Sequence, residues 1–215
     1  RGAKIFVTDI NKERVERAVS EYGAHKDLLQ DLLLFYSSTQ KKLVTLGEYV
    51  SRMPEEQKYI YYASGDSVEA VDHLPQTELL KDRSMEILYF TDKADEFLPD
   101  MLQKYQDKPF RSAIDGDLEL GDEQKPDETD SHQESFAFLK EALGDKVDQV
   151  KASTKLKTHP VCLSSEGALS IEMEKVLNSM PAQQEKVKSE KVLELNGEHE
   201  VFAAVKRLFE AGDKE

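Results

Sequence analysis

The sequence predicts an α/β body followed by an α+β body, and three patterns predict it. In the first half, short β-rich runs alternate with segments of helical period, the arrangement of a small α/β/α sandwich around a largely parallel sheet. In the second half, strand candidates and helices follow one another without that alternation. Between them, residues 115–130 (DGDLELGDEQKPDETD) carry eight acids against one lysine, half of the net charge of −14. Such a stretch, punctuated by Gly116, Gly121 and Pro126, buries too little apolar surface to offset its ordering entropy. It reads as a flexible acidic linker. The expected organisation is a segment of unclear origin (1–19), a first body (20–114), the linker (115–130) and a second body (131–215).

Taken in order, Asp27 to Tyr36 (DLLQDLLLFY) is apolar nearly all round and reads as a buried helix. Thr45 and Glu48 form a capping box for a helix through Leu46, Tyr49, Val50 and Met53, which Pro54 stops. Tyr59 to Ala63 and Ile87 to Phe90 are β-rich runs that fit buried strands. Ser67 to Arg83 reads as helical with a break at Pro75, and Phe97, Leu98, Met101, Leu102 and Tyr105 recur at helical spacing. Arg111 to Ile114 is a third strand candidate. Downstream, Ser131 and Glu134 suggest a second capping box ahead of Phe136, Leu139, Ala142 and Leu143. Val147 to Ala152, Val161 to Ser164 and Lys191 to Leu195 are strand candidates. Leu169, Met173, Val176, Leu177 and Met180 share one helical face, with Ile171 opposite. The last helix presents Val201, Phe202, Val205, Leu208 and Phe209.

Composition excludes several functions. With 39% hydrophobic and 33% charged residues the chain can build a core, and no apolar run approaches the length of a membrane span. The acidic balance argues against nucleic-acid binding and against attraction to a membrane surface. A lone cysteine, Cys162, excludes an internal disulfide and suits a reducing compartment, so a soluble cytoplasmic protein is expected. Cys162 itself reads as a small buried hydrophobe. His25, His73, His132, His159 and His199 share no metal-ligand spacing, and no P-loop, H-E-x-x-H or G-x-S-x-G motif occurs. No catalytic residue emerges from the residues alone.

From Glu21 onward the blocks EYGAHKDLLQDLLLFYSS (21–38), TLGEYVSRMPEEQKYIYYASGDS (45–67), LPQTELL (74–80), EILYFTDKADEF (86–97), HPVCLSSEG (159–167), LSIEMEKVLNSMP (169–181) and SEKVLELNGEHEVF (189–202) stand in a recognisable order. In these the chain resembles the heat-shock-protein-90 chaperone family, in its bacterial form. The resemblance implies that 20–114 is the smaller α/β/α part of the middle domain. It implies that 131–215 is the C-terminal domain without its last dimerisation helices. The function implied is that of a C-terminal part of an ATP-dependent chaperone that binds unfolded or partly folded clients. ATP and Mg²⁺ would be bound by other segments of the parent protein, which would also dimerise. No cofactor and no ATP hydrolysis are then expected of this chain.

The resemblance also implies client-binding residues. Glu96 and Phe97, at the helix start in KADEF, form one part. Leu169, Met173 and Leu177, on a C-terminal-domain helix, form the other. A pliable Met suits varied apolar segments. Periodicity alone favours a stripe packed against its own sheet, and Phe97 equally fits a core face. Residues 1–19 (RGAKIFVTDINKERVERAV) resemble instead a strand-to-helix unit of NAD-dependent amino-acid dehydrogenases of the leucine type, with Asp9 at the ribose-binding position. The glycine-rich turn that such a site needs does not precede it. The alternative function is therefore a fragment of, or fusion with, such a dehydrogenase.

Overall fold

The computed structural model describes residues 30–118, 120, 130–180 and 186–211. A 3-10 turn (Gln30–Leu32) leads into strands β1 (Leu34–Ser37) and β2 (Leu43–Thr45) and helix α1 (Leu46–Arg52). Strand β3 (Ile60–Ser64), helix α2 (Val68–Asp72), a 3-10 turn (Pro75–Thr77) and helix α3 (Glu78–Asp82) follow. Next come β4 (Leu88–Phe90), a 3-10 turn (Asp95–Phe97), α4 (Leu98–Leu102) and the hairpin β5 (Lys104–Tyr105) and β6 (Lys108–Ser112). Beyond the acidic stretch lie α5 (Asp130–Leu143), a 3-10 turn (Gly144–Lys146), β7 (Gln149–Ala152) and β8 (Val161–Glu166). The last elements are α6 (Ile171–Ser179), β9 (Glu190–Leu195) and α7 (Glu200–Glu210).

Packing divides the chain into two units that do not follow its linear order. One comprises the described parts of Arg1–Asp72, Ser84–Ser112 and Glu172–Val187; the other comprises those of His73–Arg83, Ala113–Ile171 and Lys188–Glu215. The first unit holds a six-stranded sheet in the order β2-β1-β4-β3-β6-β5. Its centre is parallel, β3 running with both β4 and β6. Its margins are antiparallel, with β1 against β2 and β4, and β5 against β6. The core holds Phe35, Val44, Leu46, Tyr49, Ile60, Leu88, Phe90, Leu98, Leu102 and Tyr105. Phe90 stacks on Tyr62 with centroids 4.7 Å apart and meets Phe35 at 4.8 Å. Helix α1 enters this core through the predicted box: Thr45 Oγ1 accepts from Glu48 N at 3.1 Å, and Glu48 Oε2 accepts from Thr45 N at 2.9 Å. Extended Met53 and then Pro54 end the helix.

The second unit holds the three-stranded sheet β7-β9-β8, in which β9 runs parallel to β7 and antiparallel to β8. Alternation along β9 sends Leu193 and Leu195 to one face and Glu194 to the other. On the apolar face Val147, Val150, Leu195 and Phe202 cluster with Phe136, Leu139 and Leu143 of α5. On the opposite face Glu194 is buried with Lys155, whose side chain is 1% exposed and whose Nζ lies 3.2 Å from Glu194 Oε1. Ser164 and Ser153 hydroxyls donate to the two carboxylate oxygens at 2.6 and 2.8 Å, and Lys155 Nζ also donates to the Ile114 carbonyl at 2.7 Å. Cys162 is buried on this face as expected; its thiol is pushed up to about 12 by burial and by the nearby Glu194 charge.

The mixed α/β and α+β class expected from the sequence is observed, with local departures. Leu34–Ser37, read as part of a helix, is a strand: Phe35 and Ser37 are buried while Leu34 is exposed, a period of two that a continuous apolar run conceals. Tyr105, read on a helix, sits in β5 after Gln103 ends α4 at φ +60°. The third strand starts three residues early, at Lys108. Ser131 lies within α5 and so does not cap it. At the linker, Asp115 Oδ1 accepts from Ser165 N at 2.9 Å and Ser165 Oγ at 2.6 Å, and Leu118 is fully buried. Chain held by its side chains thus reaches Leu118, while residues 119 and 121–129 lie outside the described residues, as does the segment 1–19.

Candidate functional site

Two stretches carry the residues singled out from the sequence. The first follows β4. Asp92 and Asp95 close a reciprocal turn, Asp92 Oδ1 accepting from Ala94 N at 3.0 Å and Asp95 Oδ2 from Asp92 N at 3.2 Å. This turn opens the 3-10 segment Asp95–Phe97, and Pro99 starts α4 in the first helical turn, where its missing N–H costs nothing. Glu96 is 8% exposed, Phe97 half-buried and Leu98 buried. Burial, with the Asp92 and Glu96 charges adding, pushes the Asp95 carboxyl up to about 7. Of the two predicted residues, Phe97 retains solvent-facing surface and Glu96 very little.

The second stretch follows β8. Gly167 takes φ +83°, a left-handed turn that a side chain would strain, and it carries the chain from β8 to α6. Leu169 precedes α6 by two residues, so it is not on the helix where the sequence reading placed it. Met173 and Leu177 lie on α6; both are half-buried, as is Leu169. Val176 is the buried residue of the helix, and Ile171, expected on an opposite face, is half-buried too. Asn178 fixes the returning chain, donating to Val187 O at 2.8 Å and accepting from Val187 N at 3.0 Å.

Glu96, Phe97, Met173 and Leu177 fall in segments of the same unit, Ser84–Ser112 and Glu172–Val187, whereas Leu169 belongs to the other. Sequence reasoning missed the acid turn at Asp92 and Asp95, although D-x-x-D ahead of a helical run was a readable signal. It also missed the grip of Lys157, Thr158 and His159 on Glu78, a contact between segments some eighty residues apart. Among the described residues, no three His, Cys, Asp or Glu side chains are grouped to hold a metal, and no helix is long and apolar enough to cross a membrane.

The family model described as "Hsp90 protein" matches residues 10–215. The chaperone protein HtpG of Clostridium acetobutylicum is 55% identical over 206 residues, 95% of this chain and 33% of that protein. Those of Bacillus licheniformis and Bacillus subtilis are 56% and 53% identical over 195 and 200 residues, 89% and 91% of this chain and 31% and 32% of those proteins. The chain spans about a third of the length of the curated relatives it matches. The family match opens at residue 10, inside the segment read as foreign, so residues 10–19 fall within the same match as the rest. The dehydrogenase reading has no support in these similarities.

Proposed function

The chain belongs to the Hsp90 family, and on that basis we propose that it is the client-binding part of an HtpG-type ATP-dependent chaperone of the cytoplasm. The observation that carries this is identity above one half to HtpG proteins along nearly the whole chain. Clients, as unfolded or partly folded proteins, meet two apolar patches. Phe97 supplies the first, with Glu96 buried beside it in sequence. Met173 and Leu177 on α6 supply the second, and Leu169, in the other unit, is a separate contact; their half-buried state supports the assignment because each combines a fixed position with solvent-facing apolar area. In the parent protein self-association brings two such surfaces together. Nucleotide and magnesium chemistry belongs, in this proposal, to other segments of the parent.

The test is binding of a fluorescent, partly unfolded protein by the chain and its variants. The pair Leu169→Ser/Leu177→Ser and, separately, Met173→Ala should weaken binding by roughly tenfold, with stability reduced by about 1 kcal/mol or less. Phe97→Ser should weaken it independently. Because Ile171 is itself half-buried, Lys175→Ser on the exposed side of α6 is the control. Unchanged affinity in all of these variants would remove the client assignment while leaving family membership intact.

A further inference from the structure

The carboxylate of Glu78, the first residue of α3, is gripped by three consecutive residues of the loop ahead of β8. Its Oε2 accepts from the backbone N–H of Lys157 at 2.7 Å, Thr158 at 3.0 Å and His159 at 3.4 Å. Its Oε1 accepts from the Thr158 hydroxyl, and His159 Nδ1 lies 2.6 Å away, which against a carboxylate requires the proton on Nδ1. The Lys157 ammonium pairs with Asp82 one helical turn later, at 2.9 Å. These hydrogen bonds draw the Glu78 carboxyl down to about 2 despite its partial burial. Successive main-chain N–H groups converging with a hydroxyl and an imidazole are the chemistry of an anion receptor.

The receptor has a support of its own. Asn196, at the end of β9 and 6% exposed, donates through Nδ2 to the carbonyls of Lys157 and His159 at 3.1 and 3.2 Å, and its N–H donates to Pro160 O at 2.9 Å. The Lys157 carbonyl shares its peptide group with the Thr158 N–H, so the Asn196 contact steadies that donor from the far side independently of Glu78. Glu78 also keeps access to water, its side chain 16% exposed beside a His159 that is half in solvent. By contrast the Lys155–Glu194 pair in the same unit is sealed. We propose that Lys157, Thr158 and His159 form a binding site for a small oxyanion, held closed by Glu78 as an intramolecular plug. Oxyanion binding and the seating of residues 73–83 are then reciprocally coupled: each weakens the other by the same factor.

The experiment is calorimetric titration of the full chain with inorganic phosphate, against sodium chloride of equal ionic strength. Glu78→Ala should bind phosphate roughly tenfold or more tightly than the unaltered chain. Thr158→Val in that background should return the affinity to the unaltered level. Saturating phosphate should also speed amide exchange over residues 73–83 of the unaltered chain. Equal affinity with and without Glu78, indifference to Thr158→Val, or an effect matched by chloride overturns the proposal. Should Glu78→Ala fail to fold, Glu78→Ser, which also empties the anion position, carries the same comparison. Failure of both to fold also overturns it, because a displaceable plug is dispensable to the fold.

Discussion

The six-stranded sheet buries rings, whereas the three-stranded sheet buries charge. In the first, Tyr49, Tyr61, Tyr89 and Phe90 are almost wholly enclosed, and the Tyr49 hydroxyl among them is fully hydrogen-bonded. The Tyr49 hydroxyl donates to Glu86 O at 2.9 Å and accepts from Gln57 Nε2 and Tyr61 N, each at 3.0 Å, which uses its full capacity. In the second, Glu194 and Lys155 are sealed together with Ser153 and Ser164. A sheet of six strands has apolar area to spare on the covered face; one of three strands, with helices gathered over β7 and β9, has less. The small sheet gains definition from a polar network whose members each need the others, at a desolvation cost that only complete pairing offsets.

That contrast can be broken most forcefully at Lys155. Lys155→Met strands a buried carboxylate and should cost about 3–5 kcal/mol in urea unfolding, and a Lys155→Met/Glu194→Met double variant should recover most of it. A cost below about 1 kcal/mol for the single variant would mean that the pair is not a sealed ionic unit. In the ring-filled sheet the matching loss is a cavity. Ile60→Ala should cost about 2–5 kcal/mol, with no second substitution of a polar partner able to restore it.

Two carboxylates then sharpen the comparison through pH, because they shift in opposite directions. Glu78, in the second unit, is held down near 2. Its stabilisation is present above the unfolded value of 4.5 and is lost as pH falls toward 2. Glu78→Gln should therefore flatten the acid limb of the stability curve by about 1–3 kcal/mol, allowing for solvent access. Asp95, in the first unit, is raised to about 7. It favours folding below its unfolded value of 3.8 and loses that contribution as pH rises through 7. Asp95→Asn should remove this decline, so that stability at pH 8 rises relative to the unaltered chain; an unchanged pH profile would show that the carboxyl is not buried in solution. The smallest effect is expected at the surface of the first unit. Thr45→Ala should cost about 1 kcal/mol by opening the α1 capping box. Fraying of α1, measured by amide exchange at Glu48, checks it.

Much of the fold was readable because the signals were local. Thr45 and Glu48 are three residues apart, Ile60–Ser64 declares itself through the β-rich run Tyr59 to Ala63, and Pro75 interrupts its helix where it stands. The misread elements fail for a shared reason. Leu34–Tyr36 sits in a run, Leu32 to Tyr36, that is apolar at every position, so neither period is visible, and β2 and β4 settle it as a strand by pairing. Leu169 keeps the spacing of α6 yet lies outside it, because Gly167 and the residues after it are still completing the turn from β8. At the candidate site the residue types of Phe97, Met173 and Leu177 were legible, but their degree of exposure was not.

The sequence by itself determined the family, the class, the capping box at α1 and several of the elements, β3, β4, β7, β8 and β9 among them. Each of these depends on residues close together in the chain or on blocks matched one after another. Only the tertiary structure decided that 73–83 packs with the later half of the chain, and that Lys155 meets Glu194 across thirty-nine positions. The same holds for Glu78, which fills the amides at 157–159. A lysine or a glutamate looks the same in a sequence whether it faces water or a partner. Its role is set by what the fold brings within hydrogen-bonding distance, and separation along the chain carries no trace of that.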